Sequence, residues 1–296
     1  MNAILLVDKP AGISSAEVVR RIKSRVKPAR VGHLGTLDPF ATGLLPVMIG
    51  EATKLAPFIE GGDKEYEGVI RLGVETDTLD RDGAEVRRAY VPALFPEKLE
   101  QVAAQFTGVI EQVPPVYSAI KRSGVPLYKL ARRGEDVAPP EKRTVEVKRI
   151  DLSFEPPDAI RFVATCSPGT YARALARDIG VALGTVAHLE QLRRTRNGAF
   201  SIADAMPLAD VLAALDSGTP PPLISLRDAL GGLPELIVDA ASEKRLRNGD
   251  SRALDSQVPP GGPLFKVISR SGHLIAVARP TSRVTAIVER IFNLEA

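Results

Sequence analysis

The sequence is poor in the residues that build metal and redox centres. Cys166 is the single cysteine among 296 residues, which excludes an intrachain disulfide framework, a cysteine-rich zinc site and a CxxC redox motif. Histidine occurs three times, at His33, His188 and His273. A histidine-based metal centre would need all of these scattered positions to converge. Tryptophan is absent. No run approaches the roughly 20 apolar residues that span a bilayer. The stretch from Met1 to Pro10 has no basic leader before its short apolar run and does not read as a secretory signal. The GxxxxGK[ST], GxGxxG and HExxH patterns are missing, which removes the simplest nucleotide and zinc readings. These absences lead us to expect a cytoplasmic protein with no metal, no cofactor and no membrane association.

An excess of one charge is also lacking. Lys and Arg total 39 against 36 Asp and Glu, a net charge of +3. That total selects no partner; the placement of the charges matters more. Hydrophobic residues at 44% and charged residues at 25% are ordinary for a folded chain. The length suits about two domains.

What is present is organised. Ile4 to Val7 reads as a short buried strand. Ser14 and Glu17 have capping-box spacing ahead of Val18, Val19, Ile22 and Val26, which recur at helical intervals. Gly32 to Pro46 holds three glycines and two prolines, so it is expected to be neither a regular helix nor a central strand. Its interleaved apolar residues suggest a packed, shaped loop, the kind of segment that carries chemistry. Tyr66, Gly68, Ile70 and Leu72 fall on one face of a strand. Asp82-Gly83 signals a turn before a second strand near Val86. Amphipathic spacing marks a helix through Leu99, Val102 and Phe106, and another over Thr170 to Leu183. Thr144 to Phe154 and Ile160 to Cys166 read as strands. Residues 117–149 carry nine Lys and Arg against four Asp and Glu, a local +5 that exceeds the net charge of the whole chain. Beyond Pro234 come short strands at Glu235–Val238, Leu264–Ser269, His273–Arg279 and Arg283–Val288, with a small helix over Ala240–Arg247. Helices and strands mix without a βαβ rhythm, so the expected class is α+β with a largely antiparallel sheet and a small, mostly β carboxy-terminal module.

Asp38 is the first candidate for chemistry. A carboxylate on a shaped glycine-rich loop could serve as nucleophile, general base or metal ligand, or could be a plain turn residue before Pro39. Asp77, Asp80 and Asp82 do not fit a calcium loop, because Thr78 and Ala89 fall where acidic ligands belong. Arg173 stands in the first turn of a helix, where a cation is disfavoured by the dipole, so a specific partner such as Asp80 is expected.

Ordered blocks then add a family. Leu6-Val7-Asp8-Lys9-Pro10-Ala11-Gly12-Ile13-Ser14-Ser15 is followed by Gly32-His33-Leu34-Gly35-Thr36-Leu37-Asp38-Pro39 and its continuation to Pro46. Asp63-Lys64-Glu65-Tyr66, Thr76-Asp77-Thr78-Leu79-Asp80, Pro115-Val116-Tyr117-Ser118-Ala119, Gly169-Thr170-Tyr171-Ala172-Arg173 and Leu189 to Arg194 come after it in order. These blocks, dense over residues 4–200, resemble the bacterial tRNA pseudouridine-55 synthases, the TruB family.

The resemblance implies a pseudouridine synthase fold. It implies isomerisation of a T-loop uridine after base flipping, which costs a few kcal/mol. It implies Asp38 as the essential carboxylate, Tyr66 stacked on the flipped uracil and Arg173 paired with an aspartate. His33 would fill space in the opened T-loop, Tyr171 and Leu192 would line the pocket, Asp80 would join the arginine, and Lys9 would support the Asp38 loop. It implies a catalytic domain over 1–232, with an RNA-clamping insertion at 117–149 bearing Lys121, Arg122, Lys129, Arg132 and Arg133, and a PUA-like RNA-binding domain over 233–296. The expected partner is tRNA, bound by a monomer with no obligatory protein partner. A guide-RNA-dependent relative and a non-catalytic RNA-binding or RNA-folding protein are the alternatives.

Overall fold

A computed structural model describes residues 1–293 apart from positions 119, 123, 134, 136 and 261. Among the described residues, ten strands form one sheet. Its main path runs Met206–Pro207, Ala3–Lys9, Thr42–Ile49, Ala187–Asn197, Lys64–Leu72, Ala159–Cys166, Arg143–Glu155 and Gly108–Gln112. Val31–His33 and Phe200–Ser201 pair beside it. Two pairings in the sheet are parallel, Ala3–Lys9 with Met206–Pro207 and Ala187–Asn197 with Thr42–Ile49. The remaining pairings are antiparallel, as the α+β reading expects.

The alternation of side chains builds a core on each face. Leu5, Val7, Leu45, Val47 and Ile49 point to one face and join a cluster with Val18, Ile22, Leu99, Val102, Leu175, Ile179 and Val211. Those residues come from four helices, Ser15–Lys23, Pro96–Gln105, Ala172–Ala182 and Leu208–Asp216. Ile4, Leu6, Leu44 and Met48 point to the other face. They pack with Leu226, Leu230, Ile268, Leu274, Val277 and Phe292. Each fully buried aliphatic side chain of this kind contributes about 1.5–3 kcal/mol.

The first helix begins as its sequence suggests, because the Ser14 side chain accepts from Glu17 N at 3.1 Å. The capping box is only half made. Glu17 turns its carboxylate to Arg20 and Arg21 instead of back to the cap.

One expectation needs correction. Gly32–Pro46 is not one irregular loop. Val31–His33 and Thr42–Ile49 are strands, the second of them central, and only residues 34–41 are free of the sheet. Pro46 is tolerated there because its carbonyl accepts from Leu34 N on the outer side. Its missing N–H faces that same side, away from the ladder with Ala3–Lys9. Ala187–Asn197 is a further central strand, one that hydrophobic alternation does not reveal. Arg193, Arg194 and Arg196 interrupt its pattern.

The basic stretch also divides. Arg143–Glu155 is a strand of the main sheet, while residues 121–132 form a tiny hairpin and the short helix Leu127–Arg132. Beyond residue 234, Glu235–Val238, Phe265–Ser269, Leu274–Pro280 and Ala286–Ile291 make a separate four-stranded sheet. No helix among the described residues is long and apolar enough to cross a membrane.

Candidate active site

Asp38 lies on the short loop between the strands Val31–His33 and Thr42–Ile49. The loop is braced from below at several points. Ser15 Oγ donates to Leu37 O at 2.9 Å and accepts from Leu37 N at 2.8 Å. Gly12 N donates to Pro39 O at 2.8 Å. Lys9 is fully buried and its ammonium donates to Pro10 O, Ile13 O and Pro39 O at 2.9, 2.7 and 3.3 Å. Burial pulls the Lys9 ammonium down to about 8, the Asp38 carboxylate opposes that fall, and Arg194 adds to it. Lys9 therefore ties the Lys9-Pro10 turn to the Asp38 loop, the supporting role its motif implies.

Arg173 is the hub. It enters from the first turn of Ala172–Ala182 and is buried. Its Nε lies 2.9 Å from Asp38 Oδ2, and its Nη2 donates to Asp38 Oδ1 at 3.2 Å. This is the two-pronged geometry that only a guanidinium supplies. Nη1 lies 3.3 Å from Asp80 Oδ2 and donates to Thr78 O at 2.9 Å. Nη2 also donates to Tyr117 O at 2.9 Å. Arg173 thus pairs with both aspartates, where the sequence offered either. A cation at a helix start, disfavoured by the dipole, is here compensated by two carboxylates and two carbonyls.

Asp80 is held as firmly. Its Oδ1 accepts from Thr78 Oγ1 at 2.7 Å and Asp82 N at 3.1 Å. Burial pushes its carboxyl up, while Thr78 and Arg173 pull it back down. Between Thr78 and Asp80, Leu79 is held in the left-handed region at φ 61°, a conformation costing about 1–3 kcal/mol for a non-glycine residue.

Tyr66 and Leu192 are buried in the same core as the helices. They belong to neighbouring strands, where Leu192 opposes Gly68 and Arg194 opposes Tyr66. Burial pushes the Tyr66 phenol up, and Arg194 partly offsets this. Tyr171 caps the Arg173 helix, locked by Gln112 Oε1 accepting from its N–H at 3.0 Å. Its ring lies under the Arg143 guanidinium at 5.7 Å, a cation–π distance. His33 stands apart from the ion-pair network, half-buried, with Nδ1 unpartnered. Burial lowers its pKa, with Arg194 adding and Glu60 opposing.

Lys121, Arg122, Lys129 and Arg133 are exposed in the basic segment. Arg122 donates to Ala138 O at 3.1 Å, and Arg133 faces Glu135 at 3.7 Å. The side chains of Arg132 and Tyr128 lie outside the described residues, as does Ala119.

Sequence reasoning missed Arg194, quoted only as part of a motif, and the Thr78 and Tyr117 carbonyls that complete the Arg173 cage. Backbone acceptors leave no trace in residue identity. Two adjacent arginines at the end of a motif were the available signal for Arg194.

Comparison with known proteins sharpens this arrangement. Residues 22–172 match the family model described as TruB family pseudouridylate synthase (N terminal domain), and residues 173–230 match the tRNA pseudouridylate synthase B C-terminal domain. A tRNA pseudouridine synthase B from Geobacter sulfurreducens is 41% identical over 250 residues, covering 84% of this chain and 82% of that protein. One from Geotalea uraniireducens is 40% identical over 285 residues, covering 94% and 92%. A crystal structure of a Cbf5-Nop10-Gar1 complex superposes with TM-score 0.71 at 25% identity, covering 98% of this chain and 85% of that one. A family model that spans half of the residues, and relatives of this closeness along most of the length, place the chain in one group: it belongs to the TruB family of pseudouridylate synthases.

Proposed function

We propose that this protein is a tRNA pseudouridine synthase that isomerises the T-loop uridine at position 55, with Asp38 as its essential carboxylate. The relatives that carry the name tRNA pseudouridine synthase B support the activity and its RNA. The observation that carries the site is the fork of Arg173 on both oxygens of Asp38, backed by Asp80. A guanidinium held by a second aspartate and two carbonyls presents the Asp38 carboxylate in one fixed orientation.

The reaction breaks the bond from N1 to the ribose C1′, rotates the uracil and joins C5 to C1′. C5 then loses its proton and N1 carries one. No atom is gained or lost, and no electron changes owner. The target base lies in a folded loop and must leave its stack first. Asp38, one-third exposed at its side chain, is the group able to act at the ribose. Tyr66 gives the flipped uracil a stacking face, and Leu192 with Tyr171 closes the sides. Lys121, Arg122, Lys129 and Arg133 meet phosphates, Arg132 belonging to the same basic set by sequence. His33 takes the space left in the opened loop. The four-stranded module acts as a PUA-like RNA-binding domain, and the catalytic domain spans 1–232.

The solved relatives named for ribonucleoprotein complexes share the fold at low identity. The sequence relatives near 40% identity are named tRNA pseudouridine synthase B, a name that mentions no ribonucleoprotein. We therefore favour an enzyme that needs no guide RNA, working as a monomer in the cytoplasm.

The test uses an unmodified tRNA transcript and a pseudouridine assay. Wild-type protein should convert the T-loop uridine, while Asp38→Asn should convert none and still bind tRNA. Binding without product points to an RNA-folding protein. Product only on addition of a guide RNA points to the ribonucleoprotein branch.

A further inference from the structure

A buried cation without a carboxylate lies beneath the catalytic loop. Arg194 is 0% exposed. Its Nε donates to Leu44 O at 2.8 Å and its Nη2 to Gly35 O at 2.9 Å. These carbonyls flank Asp38 in sequence, so one guanidinium holds both ends of its loop. Among the described residues no acidic side chain pairs with it, although a buried guanidinium ordinarily takes one. Gly35 fits close over it: the residue is at φ +77°, and a Cβ there would lie 3.2 Å from Arg194 Nη1.

Strand register says where the rest of the charge goes. Arg194 opposes Tyr66 on one side and Gly43 on the other. Opposed residues of an antiparallel pair share a face with Cβ atoms about 4.5–5.5 Å apart. Arg194 and Tyr66 therefore leave the sheet on the same face as buried neighbours, and each shifts the other's ionisation against the dominant effect of burial. A guanidinium only donates, so a hydrogen bond between these neighbours has the phenol oxygen accept and leaves the phenol hydrogen free for another partner.

We infer that Arg194 is a positioning residue for the uridine chemistry: it donates to the Tyr66 oxygen and thereby directs the Tyr66 O–H toward the flipped base. The inference rests on the proposed function, in which Tyr66 meets the uracil. A plain loop brace would need Gly35 and Leu44 but not Tyr66. A lysine in the same seat keeps the charge yet cannot serve two carbonyls and a phenol from one plane.

The experiment is a double-mutant cycle with Arg194→Lys, Tyr66→Phe and the pair, read by single-turnover pseudouridine formation on a tRNA transcript. Unfolding temperature and tRNA affinity are measured beside it. Arg194→Lys should fold, bind tRNA within about threefold of wild type and lose roughly 100-fold in rate, the low end of what a positioned acid–base group supplies. The double variant should be no slower than Tyr66→Phe alone, the mark of two residues acting as one unit. A wild-type rate in Arg194→Lys, or losses that multiply in full, overturns the inference. Arginine-15N spectra of wild type and Tyr66→Phe test the contact even where Arg194→Lys does not fold. The Arg194 Nη resonances should move on Tyr66→Phe, and unchanged resonances overturn the contact. A wild-type protein that makes no pseudouridine sinks the proposed function instead, and the spectra still report on the pair.

Discussion

Arg173 shares a single nitrogen between Asp38 and the root of the basic insertion: Nη2 donates to Asp38 Oδ1 at 3.2 Å and to Tyr117 O at 2.9 Å. The carboxylate proposed as essential and the segment that would clamp RNA are therefore hung from the same side chain. Arg173→Lys should lose the fork and with it about 100- to 1000-fold in single-turnover rate, while tRNA affinity falls less. Arg173→Met leaves Asp80 buried beside no cation and should cost about 3–5 kcal/mol in denaturant unfolding. A methionine variant as stable as wild type would contradict this account of the site.

Lys9 gives a pH signature in two opposite directions. Its ammonium is lowered from 10.5 to about 8 in the folded protein, chiefly by burial. Between those values the unfolded chain holds the extra proton, so rising pH favours the folded state across that window and the penalty is full below about 8. The same rise takes one donor away from the Asp38 loop. Relative to Lys9→Met, wild-type stability should grow from pH 8 to 9.5 while its rate advantage shrinks. Parallel stability curves for the two proteins would refute it.

His33 should behave in the acid range. Burial lowers its pKa below the ordinary 6.5, so the folded state prefers the neutral ring and the unfolded chain binds more protons just below that value. Stability contributed by the neutral ring is full above pH 6.5 and is lost as the pH falls beneath it. The stability gap between wild type and His33→Asn should therefore shift against the wild type as the pH falls below 6.5, as thermal melts at several pH values would show; a constant gap would contradict it.

Neutralising Lys121, Arg122, Lys129 and Arg133 should weaken tRNA binding and flatten its salt dependence by about 0.7–0.9 log units per log salt for each phosphate contact removed. The single-turnover rate at saturating protein should stay near wild type, because none of these side chains touches the Asp38 network. An unchanged salt slope would remove the insertion from the binding surface.

Gly43→Ala probes the joint between strands. Gly43 lies at φ +98°, and a Cβ there would collide with the Arg194 carbonyl oxygen and approach its nitrogen to 2.7 Å. Left-handed strain and overpacking together should cost about 2–4 kcal/mol. Equilibrium unfolding checks the figure, and a loss under 1 kcal/mol would show that the parallel pairing is slack.

Most of the architecture was legible because burial writes itself into periodicity. Val18 and Ile22 mark their helix, and Tyr66, Gly68, Ile70 and Leu72 mark their strand. The Ala187–Asn197 strand escaped because its site-facing positions carry arginines whose purpose is hydrogen bonding. Pro46 misled for a related reason, since proline fits a central strand where its donor is not needed: Leu34 O, opposite it, accepts from Asn197 Nδ2 at 2.9 Å. Asp38, Arg173 and Tyr66 were visible as motif residues. The convergence of Asp80 and Asp38 on one arginine was not, because it joins segments 42, 93 and 135 positions apart in the chain.

The apolar back of the sheet carries a consequence for synthesis. Ile4, Leu6, Leu44 and Met48 lie on the strands that frame the catalytic loop, and Ile268, Leu274, Val277 and Phe292 cover them. Translation delivers those covering residues some 220 positions after Met48. Until then that face has only the partial cover of earlier residues such as Leu226 and Leu230. The carboxy-terminal sheet is therefore part of the cover of the central sheet, and deleting it should bare that face.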